Sequence, residues 1–341
     1  MRLSSVRSLK EEYFSVSAAM VDRLATSTAF STFSARRATA RRIMNGVALG
    51  VTLTKKRDYQ LAIRLQRAGP LEHAMTEELT RRAKGEVNVR EIGTIVKFQG
   101  PTSPLFYQQS LRPLRIGASI GDVPPPGFIA AGTLGAFVVR RSSPRFLGIL
   151  SNNHVIANEN ANALGSSIAQ PGTLDGGEFP DDEVGALGRV IRLNVTGANQ
   201  VDAAVADLWE GIDYDARTIG NLGNLAGQAD VFSLPEKAIV HKVGRTTGQT
   251  KGRITAFDID NIRVEYDLGV LKFDNQIEIE GTGSRAFSDS GDSGSLIVDD
   301  NLRAVGLLFA GGDTGGTNGK GLTYANPIEV VLDALKVDLE I

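Results

Sequence analysis

Apolar positions recur along this chain with two different periods. Leu9, Tyr13, Val16, Met20 and Leu24 fall three and four apart, which puts them on one face of a docking helix over residues 8–25. After the Ser/Thr/Ala-rich stretch 25–40 the pattern becomes mixed. Residues 46–54 and 58–65 read as strands around the polar turn Lys55-Lys56, 71–84 as a helix stopped at Gly85, and 87–98 as a further strand. A small ββαβ unit over 46–98 is therefore expected, preceded by a helical, Arg/Ser-rich segment 1–45. Pro101, Pro104 and the run Pro124-Pro125-Pro126 mark 99–128 as linker and loop.

From about residue 113 short apolar runs alternate with Gly, Asn and Asp, and nearly everything reads as strand. The runs 132–139, 146–153, 184–193 and 201–208 form one set; 237–244, 250–259, 262–271, 276–281, 294–300 and 303–310 form a second. Two groups of strands spaced this evenly predict a mainly β protein built as paired barrels or a sandwich, with units 129–210 and 211–341. IEVVLDALKVDL (328–339) has helical spacing and is expected to pack on the second unit.

Composition narrows the chemistry. The 341 residues contain no cysteine, which excludes disulfides, thiolate metal sites and a thiol nucleophile. The formal net charge of −2 gives no global attraction to nucleic acid or acidic lipid. A basic group, Arg36, Arg37, Arg41 and Arg42, reads as a solvated face. Lys10, Glu11, Glu12, Asp22 and Arg23 interrupt every candidate leader, and no later run approaches a membrane span. A soluble cytoplasmic protein is expected, with no metal or other cofactor.

The most specific string is Ser290-Gly291-Asp292-Ser293-Gly294-Ser295, running directly into Leu296-Ile297-Val298. A serine hydroxyl needs a base beside it and donors for the oxyanion it creates. The glycines allow a sharp turn in which the N–H groups of Gly291 and Ser293 converge on one oxygen. Of the three histidines, His73 falls in the predicted helix and His241 in a strand beside Lys242, whereas His154 ends the run GILSNN at a strand end. A carboxylate must then orient the imidazole. Asp202 fits, lying between Val201 and Ala203-Ala204-Val205, where an unpaired charge would be costly. Asp207 and then Asp213 are the next candidates; Asp181 and Asp182 read as solvated. The chain order His, Asp, Ser is one of the known triad orders.

SNNHV, VDAAV and SGDSGS, together with VGRTTGQTKGRI (243–254), resemble the trypsin-like serine proteases of chymotrypsin fold, in particular their disulfide-free branches. The similarity covers roughly 113–335. The segment 46–98 and the GTLG at 132–135 are also similar to plant NARROW LEAF-type trypsin-like proteins. The resemblance implies a double β-barrel with an N-terminal α+β extension and a C-terminal helix. It also implies a serine endopeptidase with His154 as general base, Asp202 as its orienting carboxylate, Ser293 as nucleophile, and Gly291 and Ser293 as oxyanion donors. Phe287 would floor the substrate pocket and Phe309, Ala310 and Gly311 would wall it. With Phe287 where tryptic members carry an acid, an apolar or small P1 residue is expected, unless Asp289 turns in.

The expected partner is a protein or peptide substrate, with no membrane and no nucleic acid, and the N-terminal region could support homo-oligomers or gate the site. Two other functions fit the same residues: a catalytically silent protease-fold scaffold, and a protease that cuts its own linker near 99–128. Gly311-Gly312-Asp313-Thr314-Gly315-Gly316 through Lys320 lacks the spacing of a phosphate loop and reads as a surface loop beside the cleft.

Overall fold

The computed structural model describes residues 1–13, 46–54, 58–97, 106–123, 130–142 and 146–341. Val16, Met20 and Leu24, the arginine group, the Lys55-Lys56 turn, Pro101, Pro104 and the triple proline lie outside the described residues. In chain order the extension carries β1 (Val47–Leu53), β2 (Tyr59–Leu65), β3 (Val87–Glu91) and β4 (Ile95–Val96). Next come β5 (Leu114–Arg115), β6 (Ser119–Asp122), β7 (Gly132–Thr133), β8 (Ala136–Arg140), β9 (Leu147–Ser151), β10 (Ser167–Ala169), β11 (Glu183–Val190), β12 (Ala198–Asn199) and β13 (Ala204–Leu208). Short pairs β14 (Tyr214–Asp215), β15 (Thr218–Ile219) and β16 (Gly223–Asn224) lead on to β17 (Ile239–Gly244), β18 (Gly248–Asp260), β19 (Ile262–Tyr266) and β20 (Gly269–Phe273). The chain ends with β21 (Gln276–Gly281), β22 (Leu296–Asp299), β23 (Ala304–Gly312), β24 (Leu322–Pro327) and β25 (Val337–Leu339).

Six of these strands close on themselves. β17 pairs with β18, β18 with β21, β21 with β24, β24 with β23, β23 with β22, and β22 with β17 again, all antiparallel. The other large sheet, ordered β25-β8-β9-β13-β11-β10-β6-β7, curls into a half-barrel without closing. The fold is thus the expected double β-barrel, with an open first member. Leu296, Val298 and Leu307 of the closed barrel share one core cluster with Ala136, Val138, Leu150 and Val205 of the open one.

β1 pairs antiparallel with β18 and β2 with β1, while β3 runs parallel to β2. The ββαβ extension therefore continues the sheet of the closed barrel and does not stand apart from it. Its helix Pro70–Arg82 has proline in the first turn and lays Met75 and Leu79 on Val47, Leu49, Leu61 and Ile63. His73 on that helix is exposed. Arg64 of β2 is fully buried and forks onto Glu278 of β21 at 2.7 and 2.9 Å, fixing the extension to the barrel wall. A helix over residues 3–13 buries Val6 and Tyr13 in the cluster that holds Ile254 and Phe257, and Lys10 reaches Asp258 and Asp260 at 3.1 and 3.0 Å. Among the described residues no helix is long and apolar enough to cross a membrane.

Five expectations change. Residues 87–98, read as one strand, divide into β3 beside β2 and β4 beside β19 and β23. Residues 99–128, read as linker and loop, supply β5 and β6, and β6 pairs with β7 and β10 in the first sheet. Residues 262–271, read as one strand, fold into the hairpin β19–β20 about Asp267-Leu268. LTYANP was not read as a strand, yet it forms the fully buried β24; its Asn and Pro hid it, and the Asn326 amide is satisfied by Gln276 of β21 at 2.7 Å. The C-terminal helix stops at Leu335, where Lys336 takes a left-handed conformation. The chain then crosses as β25 to pair with β8. That helix contributes Ile328, Val331, Leu332 and Leu335 to the cluster shared by both barrels, not to the second alone.

Candidate functional site

His154 and Asp202 meet because of one strand register. β13 lies antiparallel to β9 with Ala204 opposite Ser151, so the residue two before Ala204 and the residue three after Ser151 arrive at the same sheet end. There the chain turns into the short helix Asn153–Ile156, and Asn158, Glu159 and Asn160 all take positive φ (44°, 52° and 75°). Asparagine tolerates that region; Glu159 does so less readily. Its carboxylate is held by the N–H groups of Asp267 and Leu268 at 3.2 and 2.9 Å and by Lys97.

Asp202 Oδ2 lies 2.5 Å from His154 Nδ1, and Asp202 Oδ1 accepts from the His154 backbone N–H at 3.2 Å. The Tyr266 hydroxyl donates to Oδ2 at 2.6 Å. The backbone of Asp202 is clamped as well: its carbonyl accepts from Asn152 Nδ2 at 2.7 Å, and its N–H donates to Asn326 Oδ1 at 2.9 Å. Complete burial pushes this carboxyl up, but the imidazole and the Tyr266 hydroxyl outweigh that and hold it below the ordinary carboxylate range. Tyr266 is itself raised well above the ordinary phenol value, by burial first and by Asp202 second, so it stays a neutral donor.

Sequence reasoning missed Tyr266, Asn152 and Asn326. A tyrosine inside an apparent strand carries no signal, although the Asp-Leu-Gly that follows it could have marked the hairpin. The other candidates go elsewhere. Asp207 is taken by Arg140 at 2.5 and 2.6 Å, Asp213 is exposed, Asp182 accepts from the Glu178 N–H, and His241 Nε2 meets Asp300 at 2.8 Å.

Ser293 reaches the same region through β7. Thr133 donates its N–H to the Ser293 carbonyl at 2.8 Å and its hydroxyl to the Gly291 carbonyl at 2.9 Å; Ser151, three residues before His154, donates to the Thr133 carbonyl at 2.8 Å. The glycines of GTLG permit this. A Cβ on Gly132 would stand 2.6 Å from both Val155 methyls and 3.0 Å from the Ser293 carbonyl oxygen, and one on Gly135 would stand 2.3 Å from the Gly294 oxygen. The strand thus threads between the histidine-bearing and serine-bearing segments with no room for a side chain.

No hydrogen bond joins Ser293 to His154. Ser293 Oγ donates to the Phe309 carbonyl at 3.4 Å, and the buried His154 Nε2 has no partner among the described residues. Gly291 has φ +93°, and neither its N–H nor that of Ser293 is engaged among the described residues, while the intervening Asp292 N–H donates to Asp289. Asp292 is fully buried. It meets Lys242 Nζ at 3.0 Å and accepts from the N–H groups of Thr246, Thr247 and Asp289 and from the Thr247 hydroxyl. The acid preceding Ser293 is therefore neutralised from within the barrel. Phe287, Phe309, Ala310 and Gly311 are all buried, and Asp289 is exposed. The Ser288 and Thr323 hydroxyls meet at 2.6 Å. The loop after Gly312 turns outward and donates the Thr317 N–H to Glu280.

Residues 193–329 match the family described as the Nal1 C-terminal domain. Protein NARROW LEAF 1 of Oryza sativa subsp. japonica is 27% identical over 206 residues, 53% of this chain and 34% of that protein. The chain resembles the NARROW LEAF-type trypsin-like proteins. It spans about a third of the curated relative that it matches. Among solved structures, the Nocardiopsis protease NAPase superposes with a TM-score of 0.46 at 17% identity, covering 68% of this chain and all of that one. Cellulomonas bogoriensis chymotrypsin gives 0.44 at 19%, covering 67% and 99%.

Proposed function

We propose that the chain is a serine endopeptidase acting through an acyl-enzyme. Ser293 Oγ attacks the scissile carbonyl and its proton passes to His154 Nε2. Asp202 holds the imidazole by Nδ1 and steadies its charged form, and the Gly291 and Ser293 amides receive the oxyanion. The proton then goes to the departing amine, and water, with His154 again as base, releases the acyl group.

One observation carries this reading: the imidazole is committed on its Nδ1 side while Nε2 is buried without a partner among the described residues. A buried polar atom left unpaired costs about 1–3 kcal/mol, and a fold keeps such a cost where the atom has another role. Phe287, six residues before Ser293, supports an apolar or small P1 side chain, and the nearby Lys242 ammonium, 5.9 Å from its ring, is already paired with Asp292.

Labelling by an alkyl fluorophosphonate, located by mass spectrometry, tests the proposal. Wild type should be labelled at Ser293 and Ser293→Ala should not. A folded wild type that takes no label on any residue would instead favour a silent scaffold, and a stable clipped product on storage would favour self-processing.

A further inference from the structure

The candidate site is closed. Ser293 is 1% exposed and the His154 side chain 4%, although a nucleophile for an external peptide must be reachable. What closes it is visible on the edge of β23. β22 covers that edge only as far as Leu307 and Leu308, where the Gly294 N–H donates to the Leu308 carbonyl and the Leu308 N–H to that of Ser295. Next along the same edge come the Phe309 carbonyl, 3.4 Å from Ser293 Oγ, and, two residues on and facing the same way, the backbone of Gly311. A peptide that delivers its carbonyl to Ser293 in extended form would lie along this edge, adding a strand to the sheet.

The edge is already occupied. Val96 of β4 pairs antiparallel with Gly311. Ile95 beside it is 1% exposed and sits in the cluster that holds Phe309, Ala310 and Tyr266. Upstream, the Ile92 carbonyl accepts from the Thr314 hydroxyl at 3.1 Å. The other edge of β4 runs parallel to β19, with Ile95 opposite Val264 and Val96 opposite Glu265. The same hairpin sets the Tyr266 ring edge-on to the imidazole, with centroids 5.7 Å apart. Lys97 ties the strand's end to Glu159, which follows the His154 helix, and to Asp267 at 2.9 Å. Where it meets β23, β4 is held by a single residue pair, and Val96 is 37% exposed.

We propose that β4 is an autoinhibitory strand: it fills the backbone edge that an extended peptide substrate needs, and the site opens when β4 leaves Gly311. This rests on the reading of Ser293 as nucleophile. The substrate is then an unfolded or loop segment long enough to replace a strand, and apparent affinity for it is reduced by the fraction of molecules in which β4 is displaced.

Because the chain lacks cysteine, Val96→Cys with Gly311→Cys supplies its only two thiols. Opposed residues of antiparallel strands stand about 4.5–5.5 Å apart at Cα, within disulfide reach. Two probes are compared on this full-length variant, oxidised and reduced: an alkyl fluorophosphonate, and a tripeptidyl diphenyl phosphonate with alanine at P1. Val96→Pro, which removes one N–H from β4, is the second variant. The tripeptidyl probe should label Ser293 about tenfold faster or more in the reduced than in the oxidised protein, and about tenfold faster in Val96→Pro than in wild type. Equal tripeptidyl rates in oxidised and reduced protein, with Ser293 labelled by the alkyl probe, would overturn the autoinhibition and leave the nucleophile standing. No label from either probe in any variant with native circular dichroism would sink both.

Discussion

Lys242→Met removes a buried ammonium behind the serine turn that pairs with Asp292 and also donates to the Thr247 hydroxyl and the Gly248 carbonyl. Lys242 and Asp292 are both 0% exposed, and their charges face each other at 3.0 Å. Burial pushes the Lys242 ammonium down, with Asp292 opposing that. Methionine keeps most of the aliphatic stem, so the substitution removes the charge with little loss of volume. Breaking a buried pair from one side costs about 3–5 kcal/mol, because the remaining charge is left uncompensated. Asp292 keeps three backbone N–H groups and the Thr247 hydroxyl as donors, so the low end applies, about 3 kcal/mol. That is a large share of the 5–15 kcal/mol or so that holds an ordinary domain folded. Urea melts at neutral pH should show the midpoint falling with the slope unchanged. Adding Asp292→Asn should restore part of the loss, since the stranded charge is then gone. The Ser293 labelling rate should fall in the single variant, because Asp292 anchors the turn that carries the serine. A single variant within about 0.5 kcal/mol of wild type would refute the reasoning, as would a double variant at least as unstable as the sum.

Other expectations follow from the same geometry. Asp202→Asn should cut peptide turnover by about 10⁴-fold through loss of the oriented imidazole, measured on a P1-alanine substrate; near-normal turnover would remove Asp202 from the mechanism. Gly132→Ala should destabilise by about 1–3 kcal/mol and slow Ser293 labelling, since the new methyl overlaps Val155 and the Ser293 carbonyl; an unchanged urea midpoint would contradict the tight threading of β7. Tyr266→Phe should lower kcat by about tenfold with KM nearly unchanged, as expected for a hydrogen bond that acts through Asp202. Tyr266 and Tyr324 both keep their protons well above the ordinary phenol range when folded. Above about pH 10 the unfolded chain loses protons that the folded one retains, so stability should fall as pH rises, less steeply in Tyr266→Phe. Chemical denaturation between pH 9 and pH 11 or so would show this, and a flat profile would exclude it.

Much of this protein is written in local pattern. Apolar runs broken by Gly, Asn and Asp make short strands wherever they fall, so the two groups of strands and the mainly β class are legible without coordinates. The SGDSGS turn, the histidine at a strand end and an aspartate among apolar neighbours stand out because each is chemically costly or conformationally special where it lies. None of those local rules says which distant segments share an edge. Tyr266 meets Asp202 only because residues 262–273 bend into a hairpin, and Lys242 faces Asp292 only because β17 and β22 are neighbours in a closed ring. The last strand joins the first sheet, and β4 lies on β23, because backbone edges take partners by proximity, whatever the side chains that carry them. Hydrophobic period and turn chemistry act over a few residues, whereas pairing and burial act between segments from fifty to more than two hundred residues apart; the elements follow from the first, and the enclosure of Ser293 from the second.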